Sequence, residues 1–168
     1  MTWVNSVIQG ALLGGFYVLL ACGLSIMFGV MRIINLAHGD LAVLGAYMAW
    51  LLLNKYHMPL VVAICIALLV MLVIGYALQR AVLERSLRAG VLTPLLATFG
   101  LSVVIQNALL IAFSPDVRSL GGDAGSLATA SWRLSSDVSL PVLGVITLAL
   151  AIAVVEGLHL FLTRTTVG

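Results

Sequence analysis

Hydrophobic positions along this chain fall into long unbroken runs, and polar positions gather in islands between them. The runs lie at about 7–28, 33–53, 60–79, 94–113 and 141–162. Each supplies close to the roughly 20 apolar residues that a helix needs to cross about 30 Å of hydrocarbon. They are rich in Leu, Ala, Val and Ile and do not alternate in polarity. Helices are therefore predicted, not the roughly 10-residue alternating strands of a membrane barrel. The expected fold class is all-α: a polytopic transmembrane helical bundle of about five helices, forming one domain over residues 1–168.

One stretch breaks the pattern. Gly23–Tyr47 is apolar at both ends, but its middle carries Arg32, Asn35, His38 and Asp40 within nine residues. These fall in the first turns of the second predicted helix. Gly29 and Gly39 are the residues whose conformational freedom can break helix geometry there. If Gly39-Asp40 marks a break, Asp40 can cap the half-helix that follows, its carboxylate at the positive end of that dipole. Broken helices in transporters gather polar groups in this way. A plain turn in water between two spans accounts for the same residues, and periodicity does not separate the two readings.

The remaining islands are less unusual. Gly10-x-x-x-Gly14, followed by Gly15, has the spacing that lets two membrane helices approach closely, although glycine is also simply common in such helices. Asn54–Pro59 is a short polar turn. Gln79–Arg88 carries three arginines and Glu84 and is closed by Gly90. Thr93-Pro94 opens the fourth helix as a cap followed by proline. That helix carries Ser102, Gln106 and Asn107; such groups bond between helices or line a path. Residues 114–139, rich in Gly and Ser, form an external loop with short local structure around Trp132. Pro141 starts the last helix, which holds Glu156. A carboxylate within a span is a functional candidate by default. Three roles stand for it: structural pairing with His159 or Arg164, contact with a partner subunit, or a proton or substrate relay.

Composition fixes the medium. Charged residues make up 8% of the chain against 62% hydrophobic, and mean hydropathy is +1.21. A soluble domain carries roughly 25% charged residues, so the chain is an integral membrane protein whose partner is the lipid bilayer. Net charge is only +2, and no basic stripe with interleaved aromatics points to nucleic acid. Cys22 and Cys65 lie inside apolar runs and read as small packing residues. Residues 1–9 lack the basic start of a cleavable signal.

Enzymatic readings find little support. The single lysine, Lys55, is not in a phosphate-binding loop, so ATP hydrolysis by that route is excluded. His38, His57 and His159 fall in separate segments and make no zinc-ligand spacing. No G-x-S-x-G is present. No catalytic, metal or cofactor residue is assigned. Arginine and lysine counts beside the helix ends set the orientation. Arg32, Arg80, Arg85, Arg88 and Arg164 share one side; Lys55, Arg118 and Arg133 share the other. The first side is cytoplasmic, with the N-terminus outside and the C-terminus inside.

Three blocks carry a resemblance. GLSIMFGVMRIINLAHGDLAVLGAY resembles the signature of the permease subunits of branched-chain amino acid ABC importers, the H-type of two paralogous permeases. Thr93–Asn107 with Phe113–Arg118 looks like the same family, and Thr163–Gly168 resembles the start of its cytoplasmic segment. The resemblance implies a subunit in the bacterial inner membrane, working with a paralogous permease subunit, two cytoplasmic ATPase subunits and an external substrate-binding protein. It makes Arg32, Asn35, His38, Gly39, Asp40, Gln106 and Asn107 candidate signature or translocation residues, and Glu156 and Arg164 structural or partner-contact residues. It also implies an N-terminal portion, apparently truncated at Gly168. The other transport reading is a stand-alone secondary transporter or channel in which Glu156 or Asp40 binds an ion.

Overall fold

The computed structural model describes residues 2–90, 92–114, 130–135 and 138–164. It is built almost entirely of helices: α1 (Thr2–Met31), α2 (His38–Asn54), α3 (Leu60–Leu78), α4 (Glu84–Leu87), α5 (Thr93–Phe113) and α6 (Val142–Arg164). A π-helical turn, Gln79–Leu83, joins α3 to α4 without a break, giving one helical segment, Leu60–Leu87. Among the described residues four helical segments are long and apolar enough to cross a membrane: Trp3–Met31, Leu60–Leu87, Thr93–Phe113 and Val142–Leu160. α2 has 17 residues, about 26 Å at 1.5 Å per residue, and is not among them.

The chain divides into two compact units, Met1–Ser25 with Gly125–Gly168, and Ile26–Ala124. In the first, α1 and α6 meet where both are small. A Cβ on Gly15 would come within 2.8 Å of the Leu148 Cα, and one on Gly144 would come within 3.2 Å of the Leu12 Cβ. Gly10 and Gly14, the pair whose spacing suggested a contact, face open space. The contact has moved one residue along, because Gly15 shares the face of Leu12, which is also buried. Before α6 stands a short antiparallel hairpin, β1 (Ser131–Ser135) with β2 (Val138–Pro141), pairing Trp132 with Leu140 and Arg133 with Ser139. Part of the expected loop is thus a hairpin, and α6 starts one residue after Pro141. Residues 115–129 and 136–137 of that loop lie outside the described residues.

In the second unit α2 and α3 form a helical hairpin about the turn Lys55–Pro59, with the Met71 side chain 3.4 Å from where a Cβ on Gly45 would stand. α5 lies along α2 in the same direction. Leu36 meets Thr98, Asp40 meets Ser102, and Tyr47 meets Phe113, so the paired positions rise together. The aromatic rings close the far end: Tyr47 and Phe113 have centroids 4.6 Å apart, and Trp50 stands edge-on to Phe113 at 6.3 Å.

Helix ends differ from the sequence expectations for local reasons. α1 runs through Gly29 and stops at Met31. Arg32 follows with φ 54°, a left-handed conformation usual for glycine at this place. Helix three does not end at Gln79; it continues because Leu83 and Ser86 bury one side while Arg80, Arg85 and Arg88 stay exposed. Gly90, with φ 132°, then turns the chain. Thr93 does not cap α5: Leu92 holds the cap position and no side chain bonds there. Cys22 is buried as expected, but Cys65 is exposed, and both are free thiols.

Candidate functional site

The polar island resolves into an extended link and the first turn of α2. Between Met31 and His38 the chain is not helical. Burial alternates along it: Ile33, Asn35 and Ala37 are covered, while Ile34 and Leu36 are half exposed. That period of two belongs to extended chain, in which successive side chains point to opposite faces. Two adjacent β-branched isoleucines disfavour helix here. Asn35 then offers the backbone an alternative partner, because its Oδ1 accepts the Ala37 N–H at 3.0 Å. The break is set by Arg32, the isoleucines and Asn35, and not by Gly29 or Gly39. Gly39 lies in the helical first turn of α2 with nothing within 4 Å of its Cβ position.

An unwound backbone within an apolar bundle must find partners for its polar groups, since no water is at hand. Thr98 supplies one. Its hydroxyl accepts the Leu36 N–H at 3.3 Å and donates back to the carbonyls of Pro94 and Leu95 at 2.9 and 3.1 Å. Thr98 and Pro94 are fully buried. The side chain that holds the break therefore comes from α5, 62 positions away in sequence.

One turn further along both helices lies the only carboxylate of the island. A break at Gly39-Asp40 would let Asp40 cap the half-helix that follows. Asp40 is instead the third residue of α2, and the cap position, Ala37, makes no side-chain bond. Asp40 turns to α5: Ser102 Oγ donates to its Oδ2, and Gln106 Nε2 donates to its Oδ1 at 3.1 Å and also to Ser102 Oγ at 3.1 Å. Ser102 is buried. Among the described residues the Asp40 carboxylate is met by these neutral donors and by no cation. A cleft of about 390 Å³ opens beside it, lined by Asp40, Val43, Tyr47, Gln106, Leu109, Leu110 and Ser114.

Position along α5 gives the depth of these contacts. The helix has 21 residues, about 32 Å long, so Thr98, Ser102 and Gln106 stand about 8, 14 and 20 Å from its first residue. At the other end of the island, Met31 accepts a hydrogen bond on Sδ from Gln79 at 3.4 Å, beside Arg80 and just beyond the last residue of the uncharged α3. The island thus runs from the charged edge of the apolar zone at Arg32 to the middle of the neighbouring helix at Asp40.

The other candidates fall apart from this cluster. Arg32 is exposed. His38 is partly covered at the start of α2. Asn107 folds back onto its own helix, donating to the Val103 carbonyl at 2.7 Å. Glu156 is exposed on α6, and among the described residues it forms no ion pair with His159 or Arg164. Among the described residues no group of three or more His, Cys, Asp or Glu side chains is placed to hold a metal ion. Thr98 carried no signal of its own in the sequence. Spacing would have found it: Pro94, Thr98, Ser102 and Gln106 recur every four residues and so share one face, from which Asn107 is turned away.

Comparison with known proteins gives the family. The family described as branched-chain amino acid transport system / permease component matches residues 6–168. The chain belongs to this family. Among curated permeases, the high-affinity branched-chain amino acid transport system permease protein BraD of Pseudomonas aeruginosa is 24% identical over 175 residues, which cover 99% of this chain and 57% of BraD. The permease protein LivH of the corresponding system of Salmonella typhimurium is 26% identical over 113 residues, 62% of this chain and 37% of LivH. LivH of Escherichia coli K12 is 25% identical over the same lengths. The chain thus spans just over half of BraD and about a third of LivH. No solved structure matches it.

Proposed function

We propose that this chain is a membrane-spanning permease subunit of an ABC importer for branched-chain or related amino acids. It would sit in the bacterial inner membrane with a paralogous permease, two cytoplasmic ATPases and an external binding protein. The observation that carries the reading is the broken helix braced inside the second unit. Asn35 and Thr98 hold an unwound backbone, and Asp40, Ser102 and Gln106 form a polar cluster about halfway along a spanning helix, open to a cleft. Polar groups placed at that depth are expensive, and in membrane proteins they mark substrate and ion paths. Family membership supports an amino acid as the cargo of such a path and partner chains as the source of its driving force. The stand-alone ion-coupled reading has no such support.

In this reading Arg32, Asn35, His38 and Gly39 shape the entry to the path, and Asp40 and Gln106 line it. Asn107 lies beside it. On this proposal the arginine-rich Arg80–Arg88 side faces the cytoplasm, with the N-terminus outside and the C-terminus inside, an orientation that the arginines beside the helix ends favour. The subunit itself hydrolyses nothing. Differential contacts with the ATPases in their open and closed states would shift its conformational population and so alternate access. Glu156 and Arg164 on α6 are left for contact with a neighbouring subunit.

Co-expression with a second permease and the ATPases tests this. A stable detergent-solubilised complex is expected, with ATPase activity raised by amino-acid-loaded binding protein. A chain that purifies without ATPase partners, or a complex indifferent to the loaded binding protein, refutes it.

A further inference from the structure

Among the described residues lining its cleft, Asp40 is the one that carries a formal charge, and no described cation pairs with it. A carboxylate can accept about four hydrogen bonds. Two are used: Oδ2 by Ser102 and Oδ1 by Gln106. Both donors are neutral and come from α5, on one side of the group. They fix the direction of the carboxylate without cancelling its charge. An ionised group held at this depth is costly unless a cation pairs with it at some stage.

The rest of the lining says what kind of cation. Val43, Leu109, Leu110 and the Tyr47 ring give the cleft an apolar wall besides the charge, and Ser114 adds one hydroxyl. Its volume of about 390 Å³ falls in the range of roughly 300–1,000 Å³ that small-molecule sites occupy. A bare inorganic cation calls for a cage of oxygens on all sides, which an apolar wall does not provide. A cationic head on an aliphatic body matches both halves of the lining.

We propose that Asp40, oriented by Ser102 and Gln106, receives the α-ammonium group of an aliphatic amino acid, whose side chain lies against Val43, Leu109 and Leu110. This rests on the permease reading and adds to it the residue that takes the amino group. Ser102 is a positioning residue: it touches Asp40 and not the substrate.

The test uses the chain assembled with its partner permease and ATPases in nanodiscs. Cys22 and Cys65 are replaced by Ala, and Ser114→Cys supplies a reporter thiol in the cleft, at a lining position that the proposal leaves out of contact with the substrate. Labelling of that thiol is timed with leucine, with isocaproate (leucine's side chain and carboxylate without the amino group), or with neither. Leucine is expected to slow labelling and isocaproate to leave it unchanged. Asp40→Asn is expected to weaken leucine protection roughly tenfold or more, the effect of losing a charge-assisted hydrogen bond. Asp40→Glu, which keeps the charge, is expected to restore part of it, and this separates a lost charge from a disturbed fold. Equal protection by leucine and isocaproate, no protection by leucine, or full protection in Asp40→Asn overturns the assignment. A parent assembly that takes up no aliphatic amino acid with ATP defeats the permease reading itself. An assembly that takes up leucine yet shows any of the overturning patterns leaves that reading standing and removes only the role of Asp40.

Discussion

Ser102 donates its hydroxyl to the carboxylate of Asp40, joining the middle of α5 to the first turn of α2 across 62 positions of sequence. With the bond from Leu36 to Thr98 one turn earlier, it fixes how a short helix stands beside a long one. Both residues on α5 are buried and small, so each acts through a single hydroxyl.

Ser102→Ala removes one of two donors to Asp40 and leaves Gln106 in place. A hydrogen bond to a charged group contributes about 1.5–3 kcal/mol. The variant complex is expected to lose thermal stability by that order and to transport more slowly, while Ser102→Thr, which keeps the hydroxyl, stays closer to the parent. Thermal unfolding of the purified complex reads the first effect and substrate uptake the second. Equal stability of Ala and parent would show that the bond does not hold the two helices.

Thr98→Val keeps the shape and β-branching of Thr98 and deletes the acceptor for Leu36 N–H. An unpaired buried donor costs about 1–3 kcal/mol. Hydrogen exchange at Leu36 is expected to quicken markedly in Thr98→Val and to return toward the parent rate in Thr98→Ser. Unchanged exchange in Thr98→Val would mean that the extended link is held from elsewhere.

Gly15→Ala drives a methyl against the Leu148 backbone, where a Cβ has only 2.8 Å. Backbone must shift, and overpacking of this kind costs typically about 1–3 kcal/mol. Gly10→Ala and Gly14→Ala meet open space; each gains helix propensity and is expected to be neutral or slightly stabilising. Thermal unfolding of the three variants checks the order, and a loss at Gly10 or Gly14 equal to that at Gly15 would contradict the packing described.

Glu156→Gln keeps the size and hydrogen bonding of a side chain that is exposed and forms no ion pair among the described residues. Transport by an assembled complex is expected to stay mostly intact. Loss of uptake with normal assembly would make Glu156 part of the path and not of a subunit contact.

Long apolar runs made most of the fold legible. Their length in a chain with so few charges leaves helix as the one way to satisfy the backbone, and α1, α3, α5 and α6 stand where the runs lie. Capping was harder to read. Thr93 and Asp40 both have the side chain of a cap, yet neither serves as one. Asp40 is drawn to Ser102 and Gln106, partners that local sequence does not reveal. The polar island was visible as polarity, but the two glycines that could have broken the helix both lie inside helices. Glycine permits a break without requiring one, while Asn35 and two isoleucines actively disfavour helix. Two of the three residues of the polar cluster, Asp40 and Gln106, were candidates in the sequence, and Ser102 stood out there as a polar group of its helix. Thr98 stayed hidden because one threonine in an apolar helix is unremarkable until its four-residue spacing from Ser102 is counted.

Uptake of labelled leucine into proteoliposomes tests the central claim most directly. The vesicles hold this chain with a second permease and the ATPases, and loaded binding protein stands outside. Uptake is predicted to require ATP within the vesicles, to be indifferent to an imposed sodium or proton gradient, and to fall to background in Asp40→Asn although the complex still assembles. Accumulation by this chain alone, driven by an ion gradient and without ATP, would contradict it.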